Sequence, residues 1–152
     1  MASSRPQRAQ IDRDFKHFTK IETDLSGYSS EGGELTAYHE KGALRKIVAL
    51  YLGDYSRATE EFYFIKGALF FVRRIEKFYG KSLSGKPYIW NGASRIPMPA
   101  YNFFYFDKGK LVLWTYADAI LRASYSNEGR KNEKRLLDAA RDFLKKANAL
   151  LD

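Results

Sequence analysis

Two histidines, one pair of adjacent glutamates and one stretch that interleaves basic with aromatic residues carry the chemical potential of this sequence. His17 and His39 are far apart, and with no cysteine in the chain they have no companions at metal-ligand spacing. We therefore expect no metal site and no cofactor. Glu60 and Glu61 fall in a strand-like segment, where neighbours point to opposite faces. They cannot work together as an acid–base pair, and ion pairing is their expected role. Ser82-Leu83-Ser84-Gly85 lacks the strand, elbow and helix that expose an activated serine. Gly27, Gly32 and Gly33 precede no strand-to-helix junction of the phosphate-binding kind. The expectation is a protein that is not an enzyme.

Binding has better candidates. Phe70 to Tyr79 places Arg73, Arg74 and Lys77 among aromatic residues, and Arg45 and Lys46 stand in the neighbouring segment. Basic groups beside aromatic rings are the ingredients of a surface for single-stranded nucleic acid. They are equally the charged stems of a strand lying over apolar neighbours, and no RNA-binding signature such as RNP1 occurs. Residues 80–99 hold Pro87, Pro97, Pro99, Tyr88 and Trp90. A connection of about 20 residues is uncommon in a compact domain unless it is functional or disordered. Trp90 is a candidate interface anchor, or else a plug that closes the open edge of a sheet.

The balance of 26 Lys and Arg against 18 Asp and Glu gives a net charge of +8. That favours an anionic partner, and it also simply confers solubility. No run approaches the roughly 18 apolar residues of a membrane-spanning helix.

The elements that carry these residues are announced by a pattern. Tyr-x-x-Lys-Gly-x-Leu occurs at Tyr38–Leu44, Tyr63–Leu69 and Tyr105–Leu111. Each copy is flanked by aromatic or β-branched residues and has Gly where the chain must reverse, the form of a β-hairpin. Lys is a poor residue for positive φ, so a type I turn closed by Gly in a bulge is the expected geometry, with each Tyr opposite its Leu. A rival two-residue register pairs Phe64 with Leu69, Phe62 with Phe71 and Glu60 with Arg73. Strands are expected over 34–40, 43–52, 57–65, 68–79, 101–106 and 110–116, with a short one possible at 88–90. Alternation puts Phe103, Tyr105 and Trp114 on one face and Phe104, Phe106 and Val112 on the other.

Residues 1–10 are small and polar and are expected to be disordered. Ile11, Phe15 and Phe18 mark a short helix that passes into a strand. Leu136, Ala140, Phe143, Ala147 and Leu150 form the apolar stripe of a C-terminal helix, with Asn132 as its N-cap.

The hairpin pattern resembles the Tyr-x-x-Gly-x-Leu repeats of many bacterial proteins, distantly MORN-like, and small exported bacterial proteins of unknown function in which such a sheet ends in a helix. The copies start 25 and 42 residues apart, so a globular meander is expected rather than a solenoid of fixed period. The fold class is thus α+β: residues 11–152 as one domain, an antiparallel β-meander of hairpins with an amphipathic C-terminal helix on one face. The resemblance implies an exported protein, periplasmic or secreted, binding another protein or an anionic envelope component through its sheet or its Pro-rich loop. A cytoplasmic protein binding nucleic acid or an acidic partner is the alternative.

Overall fold

The computed structural model of the protein describes residues 4–78, 100–116, 120–122 and 125–151. Tyr88, Trp90 and the short strand expected around them lie outside the described residues.

Helix α1 (Ser4–Asp14) and a 3-10 turn (Phe15–His17) lead into β1 (Thr19–Leu25) and β2 (Gly33–Glu40). Strands β3 (Ala43–Leu52), β4 (Ser56–Ile65), β5 (Ala68–Phe78), β6 (Ala100–Asp107), β7 (Lys110–Tyr116) and β8 (Ile120–Arg122) follow, and α2 (Asn127–Leu151) ends the chain. The eight strands pair in chain order, each antiparallel to the next, with β1 and β8 at the edges. This is the α+β meander that the hairpin pattern implies.

The three hairpins share one geometry, and it is not the expected one. Lys and Gly both have positive φ in every copy: 52° and 84° at Lys41-Gly42, 51° and 79° at Lys66-Gly67, 50° and 78° at Lys108-Gly109. Positive φ at both central residues is a type I′ turn, whose twist matches that of the strands. The strand twist outweighs the local preference of Lys. A β-bulge follows three residues after the Gly in each copy, so Arg45, Phe70 and Val112 are extra residues without a cross-strand partner. Each Leu therefore faces the residue after the Tyr (His39, Phe64, Phe106), and the Tyr faces Lys46, Phe71 or Leu113 instead. The bulge also moves Trp114 to the face of Phe104 and Phe106, against the simple alternation, and leaves Val112 exposed.

One face is covered by α2. Ile47, Phe62, Val72, Phe104 and Trp114 are successive partners across five strands, and Leu136, Ala140, Phe143 and Ala147 of α2 pack on this row. Their spacing is that of a single helix face. Ser126 caps α2, its hydroxyl accepting from the Gly129 amide at 3.1 Å. Asn132 is no cap: it sits inside the helix and donates to the Glu128 carbonyl.

The other face is partly covered by α1. Residues 4–10, expected to be disordered, are helical, because their anchors are polar. Arg8 lies 4.1 Å from the ring centre of Phe71, and Asp12 meets Lys46 at 3.3 Å. Ile11 completes the contact among Tyr63, Phe70 and Phe71.

His39 is buried opposite Leu44, and its Nδ1 has no hydrogen-bond partner. Burial holds its pKa below the ordinary value. The folded state then stays neutral while the unfolded chain takes up a proton below about pH 6.5. Stability should therefore fall as pH drops from 7 through about 6, and His39→Leu should remove that portion of the decline. Melting temperatures of the two proteins over this range are the check; parallel curves would sink the assignment.

Candidate functional site

Glu60 and Glu61 do point to opposite faces, and each is the centre of an ion cluster. The register puts Arg74 directly across from Glu60 and Arg73 directly across from Glu61. On the outer face, Glu61 meets Arg73 at 2.6 Å and Lys46 at 3.1 Å, and accepts from the Tyr63 hydroxyl at 2.8 Å. Burial alone would raise the Glu61 pKa, but Lys46 and Arg73 reverse this and hold it below the usual value. Lys46 is itself almost fully buried, 4.2 Å from the Phe15 ring centre.

Beneath α2, Glu60 has no solvent-exposed surface. Arg135 of the helix grips both its oxygens, at 2.8 and 3.2 Å, Arg74 approaches to 3.1 Å, and the Tyr51 hydroxyl donates at 2.7 Å. Burial pushes the carboxyl up, and the Arg135 guanidinium, helped by Arg74 and Tyr51, brings it below its ordinary value. Burial and the Glu60 charge push the Tyr51 hydroxyl up, so it remains a donor. Glu60 is thus an ionised anchor with saturated lone pairs, a poor proton acceptor but a firm mount for two guanidinium groups.

Those groups open onto a cavity of about 550 Å³ between the sheet and α2. It exists because the filled row of Ile47, Phe62, Val72 and Phe104 is followed by small residues, Ala58, Ser56 and Gly53, under the same helix. Tyr51, Phe104 and Trp114 supply apolar walls, and Arg74, Glu76, Asn102, Asn132 and Arg135 supply polar groups, with Glu76 pairing with Arg74 at 3.7 Å. Trp114 Nε1 donates to Asn102 Oδ1 at 2.9 Å, and Phe104 stacks on Trp114 with ring centres 5.7 Å apart. Tyr28, on the link between β1 and β2, closes one side by donating to Asp142 of α2. Its pKa is pushed up to about 12, by burial first and then by that carboxylate. The size is that of a small-molecule site, and the wall is divided evenly between polar and apolar surface.

The structure separates most of the residues singled out by sequence. Lys46 and Arg73 meet around Glu61, whereas Arg74 faces the cavity on the opposite side. Arg45 is the first hairpin's bulge residue and pairs with Glu40 at 3.2 Å, and Lys77 is exposed near the end of β5. Tyr51, Trp114 and Arg135 escaped sequence reasoning. Arg135 left one trace, a basic residue directly beside Leu136 of the apolar stripe.

Among the described residues, no three His, Asp or Glu side chains gather as metal ligands. No described helix is long and apolar enough to cross a membrane. Taken together, fold and cavity define a meander sheet with a small-molecule-sized pocket beneath its closing helix. Comparison of the chain with family models, curated proteins and solved structures finds no match.

Proposed function

We propose that this is a non-catalytic binding protein that holds a small anionic amphiphile in the cavity beneath α2. The observation that carries this reading is the pair of guanidinium groups fixed by buried Glu60 at the edge of an aromatic-walled pocket. Arg135 Nη1 and Nη2 and Arg74 Nη1 face Glu60, and Arg74 Nη2 faces Glu76, so a carboxylate, sulfonate or phosphate head would take the N–H donors that each guanidinium keeps beyond these. Trp114, Phe104 and Tyr51 suit an apolar body. The resemblance to exported hairpin-repeat proteins supports a home outside the cytoplasm, where envelope components supply such ligands. Fractionation of cells expressing the native gene tests that placement, and recovery in the cytoplasm alone removes it.

Anilinonaphthalene sulfonate and its uncharged counterpart phenylnaphthylamine separate the two halves of the ligand. At about 0.3 kcal/mol per non-hydrogen atom, the sulfonate should bind one site with a dissociation constant of tens of micromolar. The uncharged probe should bind roughly tenfold more weakly, the value of one charge-assisted contact. Asn132→Trp, which fills the cavity from the helix side, should abolish binding without lowering the melting temperature. Equal binding of the two probes, or unchanged binding to a folded Asn132→Trp protein, would overturn the assignment.

A further inference from the structure

We propose that the sheet face opposite α2 carries a second site, for single-stranded nucleic acid. Tyr101, Phe103 and Tyr105 alternate along β6 and so stand in a row about 7 Å apart. That pitch suits successive unstacked bases. Tyr101 is 37 % exposed, and Phe103 and Tyr105 are half-buried. Two clefts of about 350 and 280 Å³ flank the row and meet at Arg73 and Phe103.

Cations line this strip. Arg5 and Arg8 of α1 border the cleft at the Tyr105 end, and Arg73 lies directly across from Phe103. Arg57 and Lys77, a cross-strand pair with both residues exposed, continue the same face beyond Tyr101. Asp12 and Glu61 offset Lys46 and Arg73 in one ion cluster, so the positive charge of the strip comes from Arg5, Arg8, Arg57 and Lys77, with Asp107 an acid at its end beyond Tyr105. A cationic groove beside stacking platforms is how sequence-tolerant single-strand binding is built. A polyanion without bases would use the cations and leave the rings idle.

This site shares no residue with the cavity under α2, so either can fail without the other. Labelled single strands of about twelve nucleotides, as DNA and as RNA, should bind in the micromolar range at about 50 mM salt and weaken as salt rises. Which of the two binds more tightly identifies the natural polymer. The duplex and heparin should compete at least about tenfold less well, because neither offers open bases to stack. Tyr101→Ala and Phe103→Leu, the second keeping bulk but not the ring, should each lower affinity roughly five- to a hundredfold. Arg5→Gln should reduce the salt slope by about one. Absence of single-strand binding at about 100 µM protein would overturn the proposal. So would duplex or heparin competing equally, or both ring variants binding like the parent protein.

Discussion

Glu60→Gln should destabilise the protein by about 3 kcal/mol. Breaking a buried ion pair by removing one partner costs about 3–5 kcal/mol, chiefly because the remaining charge is stranded. The lower end applies, since Arg74 and Arg135 are 26 % and 43 % exposed and can turn toward water. The pH profile should show the same group. The folded-state pKa of Glu60 lies below its ordinary 4.5, so its stabilisation is complete above the usual carboxylate range. As pH falls below that range, the unfolded chain takes up the proton first and the stabilisation is lost. Denaturant unfolding at neutral and acid pH should find the variant weaker at neutral pH and less sensitive to acid. Replacing Glu60, Arg74, Arg135 and Tyr51 together by Leu, Met, Leu and Phe should restore stability to within about 1 kcal/mol, because neither a charge nor the Tyr51 hydroxyl is then stranded. A loss below about 1 kcal/mol for Glu60→Gln would refute the anchoring role.

Phe143→Ala should cost about 3–5 kcal/mol, the usual penalty for removing a fully buried ring. Phe143 is the largest buried side chain of α2, edge-on to Phe62 at 5.5 Å and 5.2 Å from Tyr28 between ring centres. Its loss removes an anchor of the helix against the sheet and one support of Tyr28 at the cavity wall. Single domains are stable by only about 5–15 kcal/mol, so the variant should melt far earlier than its parent. Hydrogen exchange should accelerate along α2 before it does in β3 to β5. Leu144, its neighbour in the sequence, is half-buried and should cost less. If Phe143→Ala loses under about 1 kcal/mol, α2 is not docked as described.

The meander could be read from the chain because hairpins and amphipathic helices are local. Six strand positions, the reversal at each Lys-Gly and the C-terminal stripe follow from side-chain period and turn chemistry over a few residues. The structure reproduces them to within a residue or so, apart from the start of α2 at Asn127 rather than near Asn132. Opposite faces for Glu60 and Glu61 follow just as directly.

What the chain did not disclose depends on register and on partners distant in sequence. A bulge of one residue at Arg45, Phe70 and Val112 leaves no mark in composition, yet it reverses which side chains face inward beyond it. It brought Trp114 to the cavity and set Arg74, rather than Arg73, against Glu60. The early start of α1 was hidden because its hold on the sheet is Arg8 over Phe71 and Asp12 with Lys46, contacts that hydrophobic periodicity cannot register. The cavity is the furthest from the sequence. It arises where small residues on β4 and the link before it lie under a helix some 75 positions later, held off by the Arg135–Glu60 bond. Turns and stripes are written in neighbouring residues, whereas an empty volume depends on which surfaces meet, and only the folded chain brings those together.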